Sequence, residues 1–329
     1  MTPPIRIGIL GAARIARQAI FAPVKDNPEF EIVAVGSRDK SRAVAYAAEN
    51  DIPFVADGYS ELVARDDIDL VYNALPPAGH AKWSIEALNA GKAVLCEKPF
   101  SLTAAEASEM VAVAERTNRP LIEAFHYRHH SIFRRAIEIT ASGELGRLLE
   151  AEAAFDTNIG YRPGELRWLP NQGGGALMDL GCYCVHVLRT VAACEPEVTS
   201  AACNIVHGVD ETTVAALSFP GGLRAKLHTS MNAPASVSPL HVRGEKGSLH
   251  LSRFAAPHLG CVLSTVIDGV QHEEQAHGET TYAGQLSHVA DVLLRGASPL
   301  TGGADAIANM ACIDAIYNAA GCSREFSSL

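Results

Sequence analysis

A glycine-led turn is the first segment of the chain whose residues could do chemistry. Residues Gly11–Ala16 (Gly-Ala-Ala-Arg-Ile-Ala) follow the apolar run Ile5–Leu10 and precede a helical pattern. Glycine permits a tight turn, after which the first N–H groups of a helix can bind phosphate. Alanines replace the second and third glycines of Gly-x-Gly-x-x-Gly. The turn predicts a pyrophosphate site at Gly11, Ala13, Arg14 and Ile15, although an ordinary strand–turn–helix corner fits the spacing too.

The end of the second apolar run carries a hydroxyl and a cation, Ser37 and Arg38. An NAD site usually has Asp or Glu here, which accepts a hydrogen bond from the ribose 2′-hydroxyl. Arginine beside a hydroxyl side chain suits a 2′-phosphate instead. Asp39 lies one residue later and could cap the next helix, which would leave Arg38 simply exposed. The pair favours NADP over NAD.

Two further turns follow apolar runs in the same part of the chain. Leu75-Pro76-Pro77 ends one run, with His80 in the first turn of the next helix, and Glu97-Lys98-Pro99 ends another. Both turns should lie at the carboxyl edge of a parallel sheet, where open α/β folds bind ligands. A Glu-Lys pair beside a buried strand loses hydration unless it is paired or used. We therefore expect these turns to face a ligand.

The elements that position these turns alternate strand and helix. The predicted strands are continuous apolar runs, as expected for strands covered on both faces: Ile5–Leu10, Glu31–Ser37, Leu70–Leu75, Ala93–Cys96 and Leu121–Phe125. Alternation of this kind predicts a doubly wound parallel sheet. Later strands are joined by hairpin signals such as Asp268-Gly269, which predict an antiparallel sheet. We therefore predict an α/β domain over 1–125 and an α+β domain over 126–329.

Composition excludes some classes of function. The chain of 329 residues has 27 Lys and Arg against 37 Asp and Glu, so nucleic acid is not an expected partner. No apolar run is long enough to span a bilayer, and the N-terminal residues do not form a signal-peptide pattern. The eight cysteines are scattered, which is typical of reduced thiols in a cytoplasmic protein. The histidines of 126–130 lack nearby Cys or carboxylate ligands, so no metal site is predicted.

Together these segments resemble the glucose–fructose oxidoreductase/inositol dehydrogenase (Gfo/Idh/MocA) superfamily. The resemblance covers nearly the whole chain, in the segments Gly11–Ala16, Leu75–His80, Glu97–Pro99, Tyr127–Arg128, Gly173–Tyr183, Gln285–Asp291 and Ala304–Ala320. It implies an N-terminal Rossmann domain. It also implies a C-terminal α+β domain whose open, mostly antiparallel sheet carries the substrate side and an oligomer interface, so a dimer or tetramer is expected.

The resemblance also implies roles for individual residues. Lys98 would lie beside the nicotinamide ribose and the reacting oxygen, and Asp179 would face the substrate. Inositol dehydrogenase-like members carry a histidine four residues after that aspartate. This sequence has Tyr183 there, as do members resembling dihydrodiol dehydrogenases, xylose dehydrogenases and glucose–fructose oxidoreductase. The difference argues against a cyclitol dehydrogenase.

The chemistry of this tyrosine depends on its neighbours. Asp179, Tyr183 and His186 are spaced i, i+4, i+7, so one helix face would present all three. A tyrosine with a pKa near ~10 is a poor base at neutral pH, and a nearby lysine ammonium would favour the phenolate. We predict Tyr183 as general acid/base assisted by Lys98, with Asp179 orienting substrate hydroxyls. A buried structural tyrosine is the alternative.

The sequence therefore predicts an NADP-dependent oxidoreductase acting on a sugar-like or cyclic diol substrate. The alternatives are a cofactor-binding regulator without turnover and, on a related fold, a glycosidase that uses NAD transiently. We read His186 as structural, and Trp168 could either contact a sugar or pack in the core. The predicted catalytic residues are Lys98, Asp179 and Tyr183. The predicted cofactor-binding residues are Gly11, Ala13, Arg14, Ile15, Ser37, Arg38, Leu75, Pro76, His80, Glu97, Lys98 and Arg128.

Overall fold

The computed structural model describes residues 3–322 and divides them into two compact units. The first unit is the chain up to His126 together with Tyr282–Ile307, and the second is Tyr127–Thr281 together with the chain from Ala308 onward. The predicted boundary after residue 125 nearly coincides with the first division. Residues 282–307 were predicted to belong to the second domain and instead belong to the first unit. The reason is packing, since Leu286 and Val289 are buried in the core of the first sheet.

The helices of the described residues follow in chain order. They are α1 (Ala22–Lys25), α2 (Lys40–Glu49), α3 (Tyr59–Ala64), α4 (His80–Asn89), α5 (Ala104–Thr117), α6 (Ser131–Ser142), α7 (Cys182–Ala192), α8 (Thr281–Arg295) and α9 (Gly303–Ala319). Helix α5 is capped by Thr103, whose Oγ1 accepts the Glu106 N–H at 3.2 Å. Short π-helical turns at Arg17–Phe21 and Leu177–Gly181 precede α1 and α7.

The first unit contains the predicted parallel sheet. Its strands are β1 (Ile5–Leu10), β2 (Phe30–Gly36), β3 (Phe54–Ala56), β4 (Leu70–Asn73), β5 (Ala93–Cys96) and β6 (Leu121–Glu123). They pair in the order β3-β2-β1-β4-β5-β6, and every pairing is parallel. The order reverses between β1 and β4, which is where such sheets bind dinucleotides. The short strand β3 was not predicted, since its apolar run is only three residues long.

The second unit contains a larger, mostly antiparallel sheet. Its strands are β7 (Leu148–Asn158), β8 (Glu197–Val206), β9 (Val209–Ser218), β10 (Arg224–Ser230), β11 (Asn232–Val237), β12 (Leu240–Gly244), β13 (Gly247–Leu251), β14 (Val262–Ile267) and β15 (Val270–Gln275). Their order is β15-β14-β13-β12-β7-β10-β9-β8, with β11 also paired to β7. Only β7 and β10 pair in parallel among these described strands. The α+β prediction is confirmed.

Alternation along the strands of this sheet separates a buried face from an exposed one. On β10, Ala225 and Leu227 are buried, while Lys226 and His228 are exposed. The predicted hairpin turn at Asp268-Gly269 is confirmed. Both residues have positive φ, and they join β14 to β15 at the end of the sheet. The buried face of the sheet supports α7, the helix that carries Tyr183.

Candidate active site

The glycine turn lies at the carboxyl end of β1, at the point where the strand order reverses. Gly11 has φ +93°, a conformation that favours glycine, and its N–H donates to the Gly36 carbonyl at 2.8 Å. A Cβ at this position would lie 3.1 Å from Leu75 Cδ2. Leu75, predicted to be near the cofactor, therefore packs against the turn itself. The first glycine of the motif is thus required by both conformation and space.

The polar groups of this turn fit the pyrophosphate of a dinucleotide. Its carbonyls are used by the protein, because the Tyr46 hydroxyl donates to Ala13 O at 2.8 Å and Arg42 Nη2 donates to Ala12 O at 2.9 Å. The N–H groups of Ala12, Ala13 and Ile15 have no acceptor among the described residues. N–H groups presented at the end of a parallel strand are what an anionic group requires. The substituted alanines at 13 and 16 are compatible with this arrangement.

Two arginines follow β2, the strand whose end is predicted to face the adenosine ribose. Ser37 is buried and Arg38 is exposed after β2, while Asp39 caps α2 by accepting the Arg42 N–H at 3.2 Å. The Ser41 hydroxyl also donates to Asp39, and both bonds lower the pKa of that carboxyl. Asp39 is used at the cap, with the cations Arg38 and Arg42 on either side of it in sequence, and Arg42 also contacts the glycine turn through Ala12 O. This arrangement suits a 2′-phosphate.

We expect Arg38→Ala to weaken NADPH binding by roughly 10- to 100-fold and to leave NADH binding almost unchanged, because only NADPH carries the 2′-phosphate. Fluorescence titration with each nucleotide measures both constants. Arg17→Ala is the control, since Arg17 is exposed in the same unit and pairs with Glu49 at 2.7 Å. Equal loss of affinity for NADPH and NADH would contradict this assignment.

The Glu97-Lys98-Pro99 turn follows β5 and is fixed by hydrogen bonds to residues of β4. The Tyr72 hydroxyl, on β4, donates to Glu97 Oε1 at 2.7 Å, and the Glu97 N–H donates to Asn73 O at 3.0 Å. Burial, together with the Glu97 charge, raises the pKa of Tyr72 well above its usual value. Glu97 therefore holds the turn that presents Lys98, and the side chain of Lys98 is half-buried.

His80 is fully buried beneath the two turns at this edge. Its Nδ1 lies 2.8 Å from Pro99 O and its Nε2 lies 2.7 Å from Leu75 O. Burial lowers the pKa of His80 to about 4, so the ring is neutral at pH 7 and donates to one carbonyl at a time. Both ring nitrogens face the protein, which supports a role in holding the turns at Pro76 and Pro99 together. Direct contact of His80 with the cofactor stays a prediction.

The buried state of His80 predicts a pH dependence of stability. Its folded pKa lies below the unfolded value of 6.5, so the unfolded chain gains a proton first as the pH falls. Stability is therefore lost between about pH 7 and pH 4, and His80 should account for about 2 kcal/mol of the loss by pH 5. Urea unfolding of wild type and His80→Asn at pH 7.5 and 5 measures this share. If the unfolding free energy of the variant fell between pH 7.5 and pH 5 by as much as that of wild type, this contribution of His80 would be excluded.

In the second unit, Asp179 lies in the π-helical turn before α7 and is held by an arginine. Arg167 Nε donates to Asp179 Oδ2 at 2.7 Å, and Arg167 Nη1 donates to Glu165 Oε1 at 3.0 Å. The Asp179 charge raises the pKa of Arg167 above its usual value. The Asp179 side chain is 17% exposed. The site therefore contains a carboxylate, mostly buried, whose charge is balanced by a guanidinium.

Tyr183 lies in the first turn of α7 and is enclosed by aromatic rings. Its ring lies 5.7 Å from that of Tyr127 and 5.5 Å from that of Phe155. The Tyr127 hydroxyl and His186 Nδ1 share a 2.5 Å hydrogen bond, so His186 is used inside the protein, as predicted from its lack of a catalytic counterpart. The predicted shared face assumed a regular α-helix from Asp179 onward, whereas Asp179 lies in the π-helical turn Leu177–Gly181 and the regular helix begins at Cys182.

The start of this helix is anchored by a buried carboxylate on β9. Asp210 accepts the Leu177 N–H at 2.7 Å, the Thr213 hydroxyl at 2.8 Å and the Tyr317 hydroxyl at 2.6 Å. Burial raises the pKa of Asp210, while these three donors lower it. Gly175 is required beside it, since a Cβ there would lie 2.0 Å from Asp210 Oδ1. The triple glycine thus lets the chain approach the group that fixes the helix.

The remaining sequence-predicted residues have contacts within the second unit. Arg128 Nη1 donates to Thr190 Oγ1 on α7 at 3.1 Å, and its contact with the cofactor stays a prediction. Trp168 is a core residue, 4% exposed, and its Nε1–H donates to Ile159 O. The His130 side chain caps α6. Residues 3–322 contain no cluster of three His, Cys, Asp or Glu side chains arranged to hold a metal.

Sequence reasoning missed Arg42, Arg167 and Asp210. A signal existed for Arg42, since it lies four residues after Arg38 at a helix start. No spacing rule connects Arg167 with Asp179, because an irregular segment separates them. Asp210 was hidden inside a hairpin whose other residues predict a strand.

The fold and the glycine turn define a Rossmann-type dinucleotide-binding protein. A family model described as the GFO_IDH_MocA oxidoreductase family, NAD-binding Rossmann fold, matches residues 5–125, and the GFO/IDH/MocA C-terminal domain matches residues 133–250. The chain therefore belongs to the GFO/IDH/MocA oxidoreductase family. The predicted superfamily is confirmed.

No helix within residues 3–322 combines the length and apolar character that a bilayer crossing requires.

Relatives with known activities agree with this membership. D-xylose 1-dehydrogenase (NADP(+)) 2 of Haloferax volcanii is 31% identical over 316 residues, covering 95% of this chain and 96% of that one. Trans-1,2-dihydrobenzene-1,2-diol dehydrogenase of Mus musculus is 35% identical over 258 residues, with coverages of 77% and 76%. The crystal structure of a 3-ketoreductase from Actinomadura kijaniata with NADP and TDP-benzene has a TM-score of 0.87 at 27% identity, with coverages of 96% and 98%. The chain is an NADP-dependent oxidoreductase acting on CH–OH groups.

Proposed function

We propose that this enzyme transfers a hydride between NADP and a secondary alcohol or ketone of a sugar-like or cyclic diol substrate, with Tyr183 as general acid/base. The observation that carries the proposal is the start of α7. There an arginine-paired carboxylate, Asp179, precedes by four residues a phenol enclosed by aromatic rings. A group that binds hydroxyls and a group that can exchange a proton thus lie on one short segment.

NADP, when bound, supplies or accepts the hydride. The glycine turn fits its pyrophosphate, and Arg38 and Arg42 fit its 2′-phosphate. The protein must provide orientation at the substrate carbon and a proton at the substrate oxygen. Both tasks fall to side chains, because a hydride cofactor exchanges no proton with the alcohol oxygen.

Tyr183 is proposed to exchange that proton through its hydroxyl. Lys98, on the turn fixed by Tyr72 and Glu97, is proposed to supply a positive charge that polarises the reacting oxygen and favours the phenolate. This role for Lys98 comes from the family resemblance, and it is supported by the rigid setting of its turn. Asp179 is proposed to accept hydrogen bonds from neighbouring substrate hydroxyls, for which an ionised carboxylate is suited.

The substrate class follows from what a carboxylate can select. A dihydrodiol and an aldose place a hydroxyl next to the reacting carbon, and a simple ketone does not. The relatives' names include xylose and a dihydrodiol, and also a 3,4-didehydro sugar nucleotide whose oxygen beside the reacting carbon is a carbonyl, so a neighbouring oxygen is the feature that they share. We therefore propose an α-hydroxy ketone, or the vicinal diol formed from it, as the reacting unit.

Stopped-flow absorbance of NADPH mixed with a panel of compounds tests this proposal. The panel contains keto-sugars, trans-dihydrodiols with NADP in the reverse direction, and ketones without an adjacent hydroxyl. We expect turnover only with the hydroxylated members. Tight NADPH binding without oxidation by any member would favour the alternative of a cofactor-binding regulator.

We also propose that the exposed face of the second sheet supports a homo-oligomer. Val214 and Val266 are 42% and 39% exposed on strands of this sheet. Sedimentation velocity would show a dimer or tetramer, and a monomer at micromolar concentration would exclude one of ordinary stability.

A further inference from the structure

Arg167 is built into the segment that precedes the triple glycine. Its carbonyl accepts the Gly175 N–H at 3.0 Å, and a Cβ on Gly174 would lie 2.6 Å from the same oxygen. The next residue, Trp168, is anchored by its bond to Ile159 O at 2.9 Å. The backbone of Arg167 is therefore fixed on both sides, and its side chain leaves from a rigid position.

The Arg167 side chain reaches Asp179 with a defined geometry. Nε meets Asp179 Oδ2 and Nη1 meets Glu165 Oε1, so the guanidinium plane is held between two carboxylates. Arg167 is 41% exposed, whereas Asp179 and Glu165 are 17% and 11% exposed. Two mostly buried carboxylates are thus placed beside one cation that reaches the surface.

The burial and charges of these side chains favour a role for Arg167 in positioning Asp179. A mostly buried carboxylate without a partner is costly, because water that stabilised its charge has been removed. A guanidinium that donates from a fixed position restores the charge balance and sets the direction of the carboxylate. An exposed ion pair far from a site would contribute little. The partner here is the carboxylate assigned to the substrate.

We propose that Arg167 is a positioning residue that keeps Asp179 ionised and oriented toward the substrate. The inference rests on the proposed function of Asp179. It assigns no contact between Arg167 and substrate, so Arg167 should act only through Asp179. A purely structural ion pair would instead stabilise the fold without changing how substrate binds.

A double-mutant cycle of Arg167→Gln and Asp179→Asn separates these roles. With the best substrate of the panel, Arg167→Gln should lower kcat/KM by roughly 10- to 100-fold, mainly through KM, and Arg167→Lys should recover part of the loss. In the Asp179→Asn background the same change should have an effect of at most about threefold. A full effect in that background, or no effect in wild type, would overturn the proposal.

Two further measurements keep the proposal testable if activity is low. NADPH affinity should be unchanged in every variant, since Arg167 and Asp179 lie in the second unit. The losses of unfolding free energy for Arg167→Gln and Asp179→Asn should be less than additive in the double variant, and additive losses would contradict the pairing.

Arg162→Gln is the matched control, because Arg162 is 70% exposed and lies near Glu165 but not Asp179. Failure of the proposed function would instead appear as a normal kcat/KM in Asp179→Asn.

Discussion

Tyr183→Phe should lower kcat by roughly 10²- to 10⁴-fold, the range that loss of a general acid/base produces. Phenylalanine keeps the ring contacts with Tyr127 and Phe155, so the fold and the aromatic enclosure should be retained. NADPH binding should be unchanged, because the glycine turn and both arginines belong to the first unit. Single-turnover stopped-flow with saturating NADPH measures the chemical step directly.

Tyr161→Phe is the matched control for this prediction. Tyr161 is 50% exposed and stacks on His207 with ring centroids 3.8 Å apart. Loss of its hydroxyl should change kcat by less than about twofold, since exposed substitutions rarely have larger effects. If Tyr183→Phe turned over at a comparable rate to this control, the proton would have to come from another group.

Gly175→Ala should destabilise the protein by about 3–5 kcal/mol and abolish most of its activity. Gly175 has φ +119°, which strains any residue with a Cβ, and the added carbon would lie 2.0 Å from Asp210 Oδ1. Either the turn or Asp210 must then move. Because Asp210 accepts the Leu177 N–H, its displacement frees the start of the helix that carries Asp179 and Tyr183.

Gly164→Ala separates conformational strain from this clash. Gly164 also has positive φ, +82°, but no atom lies within 4 Å of the position a Cβ would take. The control should lose only about 1–2 kcal/mol, the strain of the left-handed conformation. Urea unfolding of both variants gives the comparison. Equal losses of unfolding free energy in the two variants would show that the clash with Asp210 does not affect stability.

Much of the fold could be predicted because its signals are local. The run Ala93–Cys96 is apolar throughout and Ile5–Leu10 is apolar except for Arg6, and the structure gives these runs the same bounds as β5 and β1. Asp268-Gly269 supplies the two positive φ values of a tight hairpin. In each case the information lies within a few consecutive residues.

The features of the fold that the sequence did not predict depend on contacts between residues that are distant in sequence. Tyr282–Ile307 follows the second sheet in the chain, yet its residues Leu286 and Val289 complete the first core. No local pattern reveals which core an amphipathic helix will join. The short strand β3 has only three apolar residues, too few for a local signal, and its place in the sheet is set by pairing with β2, where Val55 lies opposite Val35.

In the candidate site, too, some residues could be predicted from local sequence and others depend on contacts between distant residues. Gly11, Arg38 and Lys98 could be placed because each lies within two residues of the end of a strand of one parallel sheet, whose carboxyl ends share an edge. His80 could be placed at that edge, but the direction of its ring toward two backbone carbonyls could not. Arg167 and Asp210 act on Asp179 and its helix through tertiary contacts, which sequence spacing does not encode.

Transfer of deuterium from NADPH labelled at the reacting C4 position tests hydride transfer to a hydroxylated ketone directly. The enzyme is incubated with the labelled cofactor and a keto-sugar from the panel, and the product alcohol is analysed by mass spectrometry. We predict one deuterium on the carbon that becomes the alcohol, with a rate that falls in Tyr183→Phe. NADPH oxidation that leaves the product without deuterium, or no product with any hydroxylated ketone, would contradict the account.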